Sequence, residues 1–405
     1  MAGGLAVAAP SAAWTDAPSL EDTARRAADV IRGYSAEGLH RTATAVDRAS
    51  AYHLFELARS TGASPTLEPF ELSRVDPVAQ FLEMEGARAE GLPMFDGGFT
   101  DATGVLGRLG PIDEGSASLS GERSDIAFVQ VSPGGEAALH GMRVASRHRA
   151  IVAVTTGARP GLCPVNAASF TKPFGPPVLQ VGSEHLSAVQ EAAARDRPVR
   201  VVAQVNRRRA TAFNVVATVA GTRRELPPVC VMTPRSGWHA NASERGGGLA
   251  CWLETMRAVV AAHPARTVRF VASSGHELGH LGLHAYLDRN AGLAQNALAW
   301  VHLGANIGAS TGNTRMTPSN DELTAAALGA LKPYGLETIA RASAAQVAGE
   351  AATIQEKNGR FISFIGQNAW FHNPSDLWPA AVDIQVVARF ARAVADLTVA
   401  LAQRG

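Results

Sequence analysis

Three cysteines in 405 residues, Cys163, Cys230 and Cys251, are too few and too far apart for a disulfide framework or a zinc ribbon. Cys230 and Cys251 lie in apolar runs and are expected as buried free thiols. Net charge is equally scarce. Thirty-seven Lys and Arg against 36 Asp and Glu leave +1, which offers no field for nucleic acid or an anionic membrane surface. The arginine run 207–209 fits a solvated strand edge or turn better than a binding patch. No run of eighteen apolar residues exists to span a bilayer. The opening stretch MAGGLAVAAPSAAW has the short apolar run and small-residue end of a signal peptide without its positive start, so it decides neither export nor residence in the cytoplasm.

What is present is an ordinary globular composition, 46% hydrophobic and 18% charged, at a length that predicts one large domain with a smaller one. Residues 18–62 carry apolar positions at three- and four-residue spacing, which predicts two helices, the second stopped at Gly62. SPTLEPFELSRVDP predicts a strand pair or hairpin edge. Between 77 and 205, glycine and proline punctuate short β-rich runs (AFVQVS, AIVAVTT, PPVLQVG, VRVVAQV) around one helix in SAVQEAAARD. From 206 onward apolar strands alternate with helices. The expected fold class is therefore α/β, a mostly parallel sheet flanked by helices. It is built from residues 1–76 and 206–405, with 77–205 as a β-rich insert. In such sheets functional groups gather beyond the carboxyl ends of the strands.

One stretch carries chemistry on its face. VRFVASSGHELGHLGLHAYL, residues 268–287, contains His276-Glu277-Leu278-Gly279-His280. In a zincin-type protease the two histidines hold the metal from one helical face and the glutamate is the base. Here the segment instead follows a strand end through Gly275. The extended form of that motif also needs histidine at 286, where Tyr286 stands, and His284 falls two positions short. The glycine run 246–248 lacks the lysine of a phosphate loop, so tight helix–sheet packing is its expected use.

The same run resembles the strand-to-helix segment of the di-zinc aminopeptidases, a superfamily that includes glutamate carboxypeptidases, glutaminyl cyclases and the transferrin receptor ectodomain. There two consecutive glutamates follow the strand, the first a general base and the second a metal ligand. The resemblance implies His276 as the catalytic proton carrier and Glu277 as a ligand. ASERGGGLACWLE (242–254) is similar to the family's Asp-Asn-x-x-Gly motif and places Glu244 at the metal-bridging position. FHNPSDLWPAAVD (371–383) resembles its closing His motif and makes His372 the last ligand, with Asp376 placed to hold the ring. The β-rich insert is similar to the protease-associated domain of many members. Two ligand motifs depart from the pattern: Thr233 and Arg235 stand in MTPRS, and Gly304 stands where an aspartate is expected.

The resemblance thus implies one zinc ion at Glu244, Glu277 and His372, a second being doubtful, with His280, His239 and His302 as possible replacement ligands. A peptide or small amide substrate follows, cleaved by a metal-bound water whose proton His276 carries. A one-metal acyl transfer or cyclisation, a binding protein that has lost the chemistry, and the zincin arrangement remain alternatives. Oligomeric state is left open.

Overall fold

Apolar strands that alternate with helices need cover on both faces, and the chain supplies it. The computed structural model describes residues 18–111, 124–195 and 197–404; the signal-like opening stretch lies outside them. Among these residues thirteen strands form one sheet. They are β1 Pro65–Met84, β2 Ala87–Pro93, β3 Val105–Pro111, β4 Ile126–Val131, β5 Ala150–Thr155, β6 Val178–Gly182, β7 Pro198–Val219, β8 Val229–Pro234, β9 Val268–Ser273, β10 Ala299–Leu303, β11 Thr314–Pro318, β12 Ala340–Arg341 and β13 Phe361–Gly366. The helices are α1 Leu20–Ala36, α2 Ala45–Arg59, α3 Glu136–Ala145, α4 Leu186–Ala194, α5 Gly246–Ala262, α6 Leu281–Arg289, α7 Leu293–Asn296, α8 Asp321–Leu331, α9 Glu350–Glu356 and α10 Ile384–Gln403. No described helix is long and apolar enough to cross a membrane.

The sheet is mixed. Its centre runs β9–β8–β10–β13 in parallel, with antiparallel β7 and β11 on either side. Every residue of β8 is buried, because its alternate side chains enter two different cores. Val229 and Val231 pack on the side of α1, α5 and α10 with Trp252 and Phe270, while Cys230 and Met232 pack with Leu283, Tyr286 and Trp300. Burying a valine or leucine stabilises by roughly 1.5–3 kcal/mol, which is why the run reads as continuously apolar rather than alternating. The three cysteines are free and buried. Glycines 246–248 serve packing: a Cβ on Gly247 would lie 1.9 Å from the Ile307 carbonyl oxygen.

Strands β1 and β7 form a long ribbon paired from Pro65↔Ala217 to Glu83↔Arg200, with a bulge between Pro77 and Ala79. The expected hairpin edge is thus one continuous strand, whose partner arrives over a hundred residues later. The insert edges expected near 77 and 205 fall inside these two strands. Residues between them build a core of their own, with Leu82, Leu109, Ile126, Val152, Leu179 and Val201. Arg207, Arg208 and Arg209 are exposed on β7, and Arg208 and Arg209 pair with Asp76 and Glu71.

The loop between α1 and α2 holds a buried imidazole. His40 stacks on Tyr34 at 3.7 Å between centroids, with its Nε2 2.9 Å from the Tyr34 carbonyl oxygen and its Nδ1 without a hydrogen bond, 3.9 Å from Glu37 Oε2. Burial lowers its pKa from 6.5 to about 4. The folded state therefore resists a proton that the unfolded chain accepts. Stability is full above about pH 6.5 and falls as pH drops towards 4, by about 1.4 kcal/mol for each pH unit in that window. A His40→Phe variant, which keeps the stack, is expected to lessen the acid-side slope of denaturant melts between pH 7 and 4 by that share, leaving the share of buried His239 and His280. An unchanged slope would remove His40 as its cause.

Candidate functional site

The carboxyl ends of β8, β9, β10 and β13 deliver the loops that matter. After β8 come Arg235 and Ser236, after β9 the run His276–His280, after β10 Gly304 to Asn306, and after β13 His372. Backbone strain concentrates here. Asn241, His280, Asn306 and His372 all hold positive φ, 50°, 59°, 62° and 56°, although none is glycine. Asparagine takes this conformation readily, whereas His280 and His372 hold it only because their surroundings enforce it.

The residues of the five-residue signature part company. His276–Leu278 form a 3-10 turn closed by Gly279 at φ 80°, and α6 begins only after His280. Glu277 turns to the α1–α2 loop. The Thr42 N–H and hydroxyl donate to its Oε1 at 2.7 and 2.6 Å, and the Ser236 hydroxyl donates to its Oε2 at 2.7 Å. Three protein donors thus hold the Glu277 carboxylate against the α1–α2 loop and Ser236.

Glu244 and His372 do meet. Both are fully buried, with His372 Nε2 3.4 Å from Glu244 Oε1. His372 Nδ1 donates to the Pro164 carbonyl oxygen, 2.6 Å away, because a carbonyl can only accept. Asp376 does not hold that ring: it accepts from the Ser243 and Glu244 backbone N–H groups, and burial raises its pKa to about 6. Neither carboxylate oxygen of Glu244 has a hydrogen-bond partner, nor does His372 Nε2. Those orphaned atoms would suit a cation, but one is already there. The Arg245 guanidinium lies 2.7 Å from Glu244 Oε1, at an angle that forms no hydrogen bond. Burial alone would raise the Glu244 carboxyl, and Arg245 with His372 instead brings it down to about 2. Arg235, in the departing motif MTPRS, pairs with buried Asp47 at 3.0 Å. Protein guanidinium groups thus supply the positive charge in this half of the cleft.

This half is also covered. Leu162 offers its carbonyl oxygen to His239 Nε2 at 3.1 Å, Asn166 accepts from Trp238 Nε1, and the Ala167 N–H donates to the Glu277 carbonyl. His239 therefore faces the covering segment rather than an open ligand position. Burial lowers its pKa.

The other half holds a cluster the sequence did not announce. His276 Nδ1 lies 2.8 Å from Glu350 Oε1, and His302 Nε2 lies 3.3 Å from Glu350 Oε2. The rings of His276 and His280 approach to 5.2 Å. His302 Nδ1 meets the Ser363 hydroxyl at 2.8 Å, and His280 Nδ1 meets the Thr353 hydroxyl at 3.0 Å. Burial lowers the His280 pKa to about 4. Burial works to raise the Glu350 carboxyl, but His276 and His280 hold it well below the usual carboxylate range. Among the described residues, His276, His280 and Glu350 are the group whose donor atoms all lie within 4.8 Å of one another; Glu244, Glu277 and His372 do not form one. Glu350 gave no signal in the sequence, since a glutamate opening a helix is favoured there by the dipole alone.

No protein-family model matches the sequence, and no curated protein matches it. Solved structures do match the fold. An aminopeptidase from Aneurinibacillus sp. strain AM-1 aligns over 95% of this chain and 96% of its own, with TM-score 0.73 and 15% identity. A peptidase M28 precursor from Shewanella amazonensis SB2B covers 95% and 96%, with TM-score 0.76 and 15% identity. BSAP, a zinc aminopeptidase from Bacillus subtilis, covers 94% and 95%, with TM-score 0.75 and 16% identity. The chain has the α/β fold of these aminopeptidases, as the motif resemblance implied.

Proposed function

We propose that this chain is a zinc-dependent hydrolase of a peptide or other small amide bond, of the aminopeptidase type, with one ion at the carboxyl edge of the central sheet. The observation that supports it is the gathering there of buried imidazoles around an ionised carboxylate, on a fold shared with zinc aminopeptidases. A zinc ion at this edge would polarise the scissile carbonyl and acidify a water. The remaining duties fall on the chain. Water attacks the amide carbon, the C–N bond breaks, and the water's proton reaches the departing amine. An imidazole is competent for that transfer.

The position implied by resemblance fits the ion poorly. Glu277 is held by Thr42 and Ser236, and Glu244 has the Arg245 guanidinium beside it, so no step is routed through Glu244, Glu277 or His372. The sealing of that half favours one second reading, a binding protein without turnover. Zinc content and cleavage of aminoacyl anilides, together with product mass on an N-terminal glutamine peptide, separate the readings. The expected result is cleavage that chelator abolishes and roughly one equivalent of zinc restores. Full zinc loading without cleavage of any amide would refute the hydrolase, and loss of ammonia without peptide cleavage would point to cyclisation.

A further inference from the structure

We propose that the ion is held by His276, His280 and Glu350, a site displaced from the one that the resemblance to the aminopeptidases implies. The assignment relies on the hydrolase reading for what the ion does, and not for where it binds.

Geometry carries it first. The three donor atoms are already within 4.8 Å of one another. With metal–ligand bonds of about 2.0–2.2 Å, neighbouring ligands of a tetrahedral zinc lie about 3.4 Å apart. His276 Nδ1 and Glu350 Oε1, now 2.8 Å apart, would part by only about half an ångström. Two imidazoles and one carboxylate form a recurring zinc set that leaves a fourth position open.

The backbone is built to bring these side chains together. Gly279 at φ 80° permits the turn, and a Cβ there would lie 2.5 Å from the Ala168 carbonyl oxygen. His280 follows in the left-handed region at φ 59°, a conformation that costs a non-glycine residue of order 1–2 kcal/mol. The pair thus faces one point without standing on an established helix, the requirement that the zincin pattern failed to meet. Glu350 arrives from the first turn of α9, after Gly349, whose own Cβ would lie 3.1 Å from His302 Cε1.

Outer partners complete the arrangement. Thr353 engages His280 at Nδ1, which leaves Nε2 for an ion. His302, fixed by Ser363, faces the second oxygen of Glu350 and is a positioning residue in this scheme. Access separates the two halves of the cleft as well. His276 is 9% exposed and His280 is half-buried, whereas Glu244 and His372 are at 0%. Glu350 itself is 1% exposed, so the less buried side of this cluster is the histidine side. At Glu244 and His372, the Arg245 guanidinium already supplies the charge.

The test measures zinc affinity by competition with a chelating dye, and reads the visible spectrum of the cobalt(II) form, for the full chain and five variants. His280→Ala is expected to weaken zinc at least 100-fold, Glu350→Gln at least 10-fold, and His302→Ala about 10–100-fold through lost orientation. Glu244→Gln and His372→Ala should change it less than threefold. Melting of each metal-free variant reports folding, and His280→Asn replaces the alanine if that variant fails to fold. Zinc binding that survives His280 and Glu350 replacement, or that is lost only with Glu244 and His372, overturns the site, as does a wild-type chain that binds no zinc. If zinc binding follows the expected pattern but no amide is cleaved, the site stands and the hydrolase reading falls. If cleavage needs zinc but ignores His280 and Glu350, the reverse holds.

Discussion

Replacing Asp47 with alanine is expected to destabilise the fold by about 3–5 kcal/mol, the cost of leaving a buried charge without its partner. Asp47 and Arg235 are both essentially inaccessible and 3.0 Å apart. The Asp47 carboxylate also accepts from the Ala43 N–H at 2.8 Å and from the Ser274 hydroxyl at 3.0 and 3.1 Å. It therefore ties the start of α2 to the ends of β8 and β9. Removing it leaves the guanidinium with only the carbonyls of Phe213 and of residue 47 itself. The double variant Asp47→Leu, Arg235→Met should recover much of the loss, because an apolar pair of similar volume avoids desolvating either charge. Urea unfolding with both the midpoint and the slope measured checks this. A loss under 1 kcal/mol for the single variant would mean that water enters the pair.

Glu277→Ala should cost about 3 kcal/mol while leaving the zinc affinity within threefold of wild type. Three donors lose their acceptor at once: the Thr42 N–H, the Thr42 hydroxyl and the Ser236 hydroxyl. Each buried donor left unsatisfied costs about 1–3 kcal/mol, and hydroxyls that can rotate to other partners fall at the low end. Ser236 has an alternative role, since its oxygen already accepts from the Gly275 and His276 N–H groups. The loop bearing His276 is thus fastened to the sheet through Ser236 whether or not Glu277 is present. Glu277→Gln should be milder, near 1 kcal/mol, because one amide oxygen remains for Thr42. Folded Glu277→Gln protein that has lost its zinc would restore this glutamate to the ligand role that the resemblance implies.

Much of this protein was legible from periodicity and punctuation. Continuous apolar runs at β8, β9 and β10 predicted a sheet covered on both faces. The glycines at 246–248 predicted close packing, and the motif at 276–280 falls directly after β9, at the carboxyl edge of the sheet. These follow from local rules, the period of a strand and the demands of a turn, which any window of the chain carries with it. Which side chain faces which was decided elsewhere. Glu277 turns to Thr42 because the α1–α2 loop, more than 230 residues earlier, lies against the end of β9. Glu350 meets His276 because α9 packs beside β10 and β13. Arg245 gave no signal in the sequence, and only burial beside Glu244 makes it the counter-charge of that carboxylate. A metal site needs donor atoms within a few ångströms of one point, and for residues seventy positions apart that distance is set by tertiary packing alone.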